Sequence, residues 1–91
     1  MRKYSLRKTP KETRHELAAK HRRLRKDCGW TQAETAERAD VSLGSLKRFE
    51  QTGKISLENL LRLAHLFGRL EDFDRVFYLP ENLDHLFTEK A

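Results

Sequence analysis

Two short helical segments separated by about three residues most constrain the fold of this 91-residue chain. The first segment begins with "TQAE", a capping box in which the Thr31 side chain and the Glu34 side chain each bond the other's backbone N–H. "DVS" interrupts this segment after Ala39, and Ser42 is placed to cap a second segment that Gly53 ends. Hairpins of a helical bundle have longer arms, so this pair favours a steeply crossed helix-turn-helix.

The segment before this pair also carries signals for the start and the end of a helix. "TPKE" supplies Thr9 as an N-cap, Pro10 at the first helical position and Glu12 to complete a capping box. Gly29 is placed to stop this first helix in the left-handed conformation. We therefore predict a long first helix that ends just before the short pair.

The segment after the pair predicts further helices. Ser56 caps a fourth helix that Gly68 stops, "EDFDRVF" gives a short fifth, and a last turn or two follows Pro80. No stretch of useful length alternates polar and apolar residues, as a strand would. The sequence therefore predicts an all-α protein of five helices with a short C-terminal helix.

Apolar spacing predicts which residues of these helices face the core. For the first helix the predicted seam is Leu17, His21, Leu24 and Cys28. For the fourth helix it is Leu57, Leu60, Leu61, Ala64 and Phe67. Small side chains of the second helix are predicted to let the third approach closely, namely Ala33, Ala36 and Ala39. We expect Trp30 to belong to the core as well.

The third predicted helix has two chemically different faces. At about 100° per residue, Phe49, Glu50 and Ser42 fall within about 60° of Leu46, the centre of the buried side. The opposite side carries small, cationic and amide side chains: Gly44, Ser45, Lys47, Arg48 and Gln51. Small residues let a helix backbone approach DNA closely, and Arg, Lys and Gln supply donors that read base edges. This face predicts insertion into the major groove.

Positive charge is concentrated at one end of the chain. Residues 1–26 hold eleven Lys or Arg against two Glu, whereas residues 27–91 hold eight cations against twelve acids. Such an asymmetry is typical of a protein that meets a polyanion along one surface. A single cysteine excludes an internal disulfide framework, and no apolar run is long enough to span a membrane or serve as a secretory signal. We therefore expect a cytoplasmic protein.

The stretch "LRKDCGWTQAETAERADVSLGSLKRFEQTGKISLENLLRLAHLFG" resembles the Xre (Cro/C1-type) helix-turn-helix of phage repressors and bacterial regulators. The resemblance extends over Leu17 to Gly68 and rests on the spacing of G-W-T-Q, A-x-x-A, V-S, L-x-x-F-E and L-x-x-L. It implies a lambda-repressor-like bundle of five helices. The second and third helices of that bundle, here about 31–39 and 42–52, would engage DNA.

The resemblance also implies roles for individual residues. Gln32 matches a position that anchors a phosphate, and Arg25 and Glu50 match a structural ion pair. Leu43, Gly44, Ser45, Lys47 and Arg48 match positions that face bases or backbone. The resemblance, the helical wheel of the third helix and the N-cap positions together predict the residues that contact DNA. They are Thr31, Gln32, Ser42, Leu43, Gly44, Ser45, Lys47, Arg48 and Gln51, together with Arg2 and Lys3 of a basic arm.

We expect a basic arm at 1–8, a DNA-binding domain at 9–77 and an extension at 78–91 that contacts a dimer partner or another protein. The predicted function is a sequence-specific transcriptional regulator, a repressor that binds double-stranded DNA as a homodimer on a pseudo-palindrome. "SLENLLRLAHLFGRLEDFDRVF" is similar to HipB-like antitoxins, which implies a HipA-type kinase toxin as a further partner.

Two other readings of the basic face stay open. A protein-interaction module would use it for an acidic protein within a larger complex, and an RNA binder would use it for RNA. Catalysis has no support, because the four His and one Cys show no metal-ligand spacing and no phosphate-binding Gly loop or nucleophile motif is present. We predict no enzyme activity, no cofactor and no metal site.

Overall fold

A computed structural model describes residues 8–80 of the chain. Four α-helices, α1 (Pro10–Asp27), α2 (Gln32–Ala39), α3 (Leu43–Thr52) and α4 (Leu57–Leu66), are followed by a 3₁₀ helix, Leu70–Arg75. Residues 8–80 contain no strand, so the predicted all-α class is confirmed. The turn or two predicted after Pro80 lies outside the described residues.

The helix boundaries follow the predicted capping signals. Thr9 and Thr31 each form a complete capping box with the glutamate three residues on. Ser42 and Ser56 accept from the backbone N–H of the residue three positions later. The predicted glycine stops adopt positive φ, namely Gly29, Gly53 and Gly68. These local hydrogen bonds involve residues within about one turn of each helix end, so the sequence predicts them well.

The fifth predicted helix is a 3₁₀ helix, not an α-helix. It has no side-chain cap at its start and buries no residue completely, so neither capping nor packing favours a longer α-helix. In a 3₁₀ helix the side chains at i and i+3 eclipse. That geometry suits the bond from Arg69 Nε to Asp72 Oδ2 at 3.0 Å.

The core lies where α3 packs against α1 and α2, and where α2 packs against α4. Its buried apolar side chains are Ala18, Ala36, Ala39, Val41, Leu46, Phe49 and Leu63. Val41 lies in the turn between α2 and α3, and its burial fixes that turn on the core. The Asp40 carbonyl in the same turn accepts from Arg62 Nη1 at 3.0 Å.

The predicted seam of α1 is wrong at two of its four positions, Leu17 and Cys28. Leu17 is 37% exposed and Cys28 is exposed, whereas Ala18 and Arg25 are buried beside His21. This rotation of α1 directs Arg25 and His21 toward Glu50 of α3, a contact that apolar spacing does not encode.

Smaller corrections apply to α2 and α4. Ala33 is exposed, whereas Thr35 is fully buried. The Thr35 hydroxyl is satisfied there because it donates to the Thr31 carbonyl at 2.9 Å. Leu57 is 66% exposed, whereas Leu63, absent from the predicted stripe, is fully buried. The face that a short helix buries therefore depends on its neighbours as well as on its own periodicity.

The end of α3 meets the backbone of α1. A Cβ on Gly53 would lie 2.6 Å from Arg14 Cβ and 2.8 Å from the Arg14 carbonyl oxygen. Gly53 also has φ +81°, a left-handed conformation that favours glycine. This contact fixes how close the third helix lies to the first.

Candidate nucleic-acid interface

The two faces of α3 agree with the helical wheel except at two serines: Ser42, predicted on the buried side, is exposed at the N-cap, and Ser45, predicted on the opposite side, is half-buried. Leu46 and Phe49 are 0% and 1% exposed and anchor the helix in the core. The solvent-facing side carries Gly44, Lys47, Arg48 and Gln51, all exposed. Leu43 is 38% exposed at the start of the helix, and Ser45 is half-buried. The core contacts thus hold a row of small, cationic and amide groups toward solvent.

A buried carboxylate ties α3 to α1 and α2. Arg25 donates from Nε to Glu50 Oε2 at 2.8 Å and from Nη2 to Oε1 at 2.9 Å. Gln32 Nε2 donates to Oε1 at 3.0 Å, and His21 Nδ1 lies 2.8 Å from Oε2. Arg25 Nη1 also donates to the Trp30 carbonyl at 2.9 Å. One side chain of α3 is thereby fixed by three others.

The ionisation states follow from these contacts. Burial by itself would raise the pKa of the Glu50 carboxyl, but the hydrogen bonds from Arg25 and Gln32 and the nearby positive charge hold that pKa below its usual range. Burial lowers the pKa of His21 despite the adjacent carboxylate. The buried Nε2 of His21 has no hydrogen-bond partner among the described residues, which favours a neutral ring that carries its proton on Nδ1.

Gln32 has a structural contact in addition to the phosphate role that the resemblance implies. Its side chain is half-buried and donates to Glu50. A primary amide has two N–H donors, so this bond leaves one of them for another acceptor. His21 also belongs to the network, although the sequence indicated only a position in the helix seam.

Two depressions flank the exposed face of α3. One, of about 590 Å³, brings together several predicted residues and one addition, Arg22: its lining is Arg22, Arg25, Thr31, Gln32, Lys47, Glu50 and Gln51. The other, of about 350 Å³, is lined by Ser45, Arg48, Lys54, Ile55, Ser56 and Asn59. On the helical wheel, Gly44 lies between the α3 residues that line the first depression and those that line the second. A Cβ built there meets nothing within 4 Å among residues 8–80, so no packing contact in that range requires a glycine.

The hydroxyls at the two helix starts are already bonded within the chain. Thr31 Oγ1 accepts from the Glu34 N–H at 3.0 Å, and Ser42 Oγ accepts from the Ser45 N–H at 3.1 Å. The Ser42 and Ser45 hydroxyls also bond each other at 2.8 Å. Thr31 and Ser42 remain exposed, so each keeps surface that an external group can contact.

Sequence reasoning missed Arg22, Lys54 and Asn59. Arg22 lies one turn before Arg25, and the predicted Arg25–Glu50 pair was the signal that placed this part of α1 beside α3. Lys54 and Asn59 flank the Ser56 cap, a position that becomes relevant only because the loop after α3 places the start of α4 near Ser45 and Arg48. Arg2 and Lys3 lie outside the described residues.

Other cations have structural partners and lie outside both depressions. The Arg38 guanidinium lies 4.5 Å from the centre of the Trp30 ring, a cation–π contact. Arg62 pairs with Glu58 at 2.8 Å and caps the turn before α3. Trp30 itself is half-buried, with its ring centre 5.6 Å from that of Phe67. Arg38 and Arg62 therefore contribute to the fold, whereas Arg22, Lys47, Arg48 and Lys54 line the depressions beside α3, and Arg25 does both.

Comparisons with known proteins give one match. A helix-turn-helix family model matches residues 22–73, more than half of the chain, and this range contains both depressions. No curated protein and no solved structure matches the chain. Across residues 8–80, no group of three or more His, Cys, Asp or Glu could hold a metal ion. None of the helices in that same range is long and apolar enough to cross a membrane.

Proposed function

Because this chain belongs to the Xre (Cro/C1-type) helix-turn-helix family, whose members are DNA-binding transcription regulators, we propose that it inserts α3 into the major groove of double-stranded DNA. One observation carries the proposal: Gly44, on the exposed side of α3, lies between two depressions, one lined by Lys47 and the other by Arg48. The major groove of B-DNA is about 12 Å wide and admits one helix.

Gly44 and the exposed side chains next to it on α3 recognise the base sequence of the DNA. Gly44 lets the backbone of α3 approach the base edges, since no side chain stands between them. Arg48 and Lys47 offer donors to guanine, and Gln51 offers an amide that matches adenine. Leu43 and Ser45 lie at the leading end of the helix, where an apolar contact with a thymine methyl or a hydroxyl bond is available.

The depressions receive the phosphates of the two DNA strands. On one side, Arg22 and the second N–H of Gln32 face the backbone, near the start of α2 and its Thr31 cap. On the other side, Lys54 and Asn59 do so beside the start of α4. Helix N-termini favour anions, which adds to the cationic side chains. Ser42 contributes an exposed hydroxyl at the start of α3.

The basic arm adds to this electrostatic docking. Arg2 and Lys3 neutralise phosphates beyond the groove, so affinity falls steeply as salt is raised. Because such contacts carry no sequence information, they strengthen specific and random binding alike. The arm therefore sets affinity, and α3 sets the preferred sequence.

A repressor that reads a pseudo-palindrome requires two copies of the chain. A homodimer places its recognition helices about 34 Å apart, one turn of DNA, so that each reads a half-site. The similarity of residues 56–77 to HipB-like proteins supports a HipA-type kinase as a further partner, with the chain as its autoregulating antitoxin. Exposed apolar side chains around the end of this segment favour a protein partner, because Phe77 is 99% exposed and Tyr78 is 58% exposed.

The test is fluorescence anisotropy with DNA from immediately upstream of the protein's own coding sequence, compared with a scrambled duplex from 50 to 300 mM salt. We expect roughly a thousandfold preference or more for the upstream DNA. Arg48→Ala should cost about 1–3 kcal/mol, mainly against one base position. Arg69→Ala, which removes an exposed cation outside both depressions, is the matched control and should leave the preference unchanged. Equal, salt-sensitive binding to both duplexes would instead favour a protein-interaction module.

A further inference from the structure

A second surface, separate from the two depressions beside α3, is an apolar groove between α1, α4 and the 3₁₀ helix. It has a volume of about 570 Å³. Its apolar walls include Leu17, Leu24, Leu60, Phe67, Phe73 and Val76. Leu17 is 37% exposed and Val76 is 53% exposed, so these walls face solvent in the described residues. Concave apolar surface of this kind is characteristic of a docking site.

We propose that residues 81–91 of the same chain occupy this groove as an amphipathic helix. The sequence there, "ENLDHLFTEKA", places Leu83, Leu86 and Phe87 at i, i+3 and i+4. That spacing puts the three side chains on one face of a helix, the pattern by which helices bind apolar grooves. The groove offers this segment a nearer surface than a dimer partner or another protein.

The chain geometry brings the segment within reach. Val76 forms part of the groove wall, and Leu83 follows it by only seven residues, an extended span of at most about 25 Å. Val76 and Phe77 form a turn, with Phe77 at φ +57° and the Tyr78 N–H bonded to the Arg75 carbonyl at 3.0 Å. The chain therefore changes direction as it leaves the groove wall.

Tethering favours the chain's own segment over a second copy. A short flexible linker gives an effective concentration in the millimolar range, so even a weak intramolecular contact is populated. A stable interface between two copies buries about 1,200–2,000 Å² in total and involves about 20–30 residues from each partner, whereas fifteen residues line this groove. The C-terminal segment has to place only three apolar side chains there.

The charges around the groove also fit this segment. The part of α1 that lines the groove carries two cations, Lys20 and Arg23, against one acid, Asp27. Arg69 on the opposite rim is paired with Asp72 at 3.0 Å. Glu81 and Asp84 flank the first apolar residue of the segment. The acidic start of the segment can therefore face the rim cations of α1 while its leucines enter the groove.

The test uses Cys28, the sole cysteine of the chain, which is exposed and adjoins Asp27 of the groove lining. A nitroxide attached to Cys28 of the full-length, ¹⁵N-labelled protein should selectively broaden the amide resonances of residues 83–87. The broadening should not change on tenfold dilution. Leu86→Ser together with Phe87→Ser should abolish it. Leu17→Ser in the groove wall should weaken it, whereas Leu57→Ser, at a leucine that is 66% exposed outside the groove, should leave it unchanged.

A mixed sample separates docking in one chain from exchange between two chains. It combines unlabelled protein carrying the nitroxide with ¹⁵N-labelled Cys28→Ser protein that carries none. No broadening in this sample, with strong broadening in the first, supports the proposal. Broadening in the mixed sample would overturn it in favour of a second copy as the occupant. The absence of broadening at residues 83–87 in both samples would also overturn the proposal and would favour a different protein as the binding partner of this segment.

Discussion

Replacing Glu50 with glutamine tests whether the buried network holds α3 in place. The Glu50 side chain is only 4% exposed and accepts from Arg25, Gln32 and His21. Glutamine has nearly the same shape, but its NH₂ group would face donors where the second carboxylate oxygen now accepts. It would also leave the Arg25 guanidinium buried without a counter-charge. The substitution therefore removes charge and acceptor together while it preserves volume.

The expected loss of stability is large for a domain of this size. Removing one member of a buried ion pair typically costs about 3–5 kcal/mol. Small domains are stable by only about 5–15 kcal/mol, and a chain this short lies toward the lower end of that range. Glu50→Gln should therefore remove most of the free energy of unfolding. Specific DNA binding should weaken as well, because α3 is oriented through this side chain.

The assay is urea unfolding followed by circular dichroism at pH 7, with Glu58→Gln as the control. Glu58 pairs with Arg62, but its side chain is 74% exposed, so its loss should cost no more than about 1 kcal/mol. A double-mutant cycle with Arg25→Met should give a coupling energy of about 1–3 kcal/mol. A loss below about 1 kcal/mol for Glu50→Gln, or additive effects in the cycle, would refute the reasoning.

Three other substitution or pH experiments test separate parts of the structure. The free energy of unfolding should fall as the pH drops below about 6.5, because His21 takes up a proton more readily in the unfolded chain than in the folded one. It should fall further at lower pH, because the pKa of Glu50 is lower in the folded chain than in the unfolded one. A urea midpoint that stays constant from pH 7 to 4 would contradict the lowered pKa of both residues. Gly44→Ala should raise stability by up to about 1 kcal/mol, since its Cβ meets open space, yet weaken specific DNA binding in anisotropy; unchanged affinity would show that the α3 backbone does not approach the bases. Gly53→Ala should destabilise by more than Gly68→Ala in urea unfolding, because both glycines have positive φ but only the first would clash with α1; equal losses would show that the clash relaxes.

Local hydrogen bonding was predictable from the sequence alone. Thr9, Thr31, Ser42 and Ser56 cap the helices as predicted, since a cap depends on residues within one turn of it. The two faces of α3 were predictable for a related reason. Leu46 and Phe49 are the only large apolar side chains near the middle of that helix, so the direction of the buried face was already determined.

Which groups meet across the core was decided by the tertiary structure. Apolar spacing alone favoured Leu17 and Cys28 for the α1 seam, but Ala18 and Arg25 are buried because α1 must bring Arg25 to Glu50. Only the resemblance to a known family indicated that ion pair in advance. The inclusion of His21 in the same network required the packed structure.

The residues of the candidate interface were likewise predictable from the sequence only in part. The sequence by itself determined the exposed residues of α3, including Lys47 and Arg48, because they lie opposite the apolar face of their own helix. The tertiary structure alone placed Arg22 and Lys54 beside them and drew Gln32 toward Glu50. Periodicity specifies direction around one helix axis. The distances between helices depend on close contacts such as the one between Gly53 and Arg14.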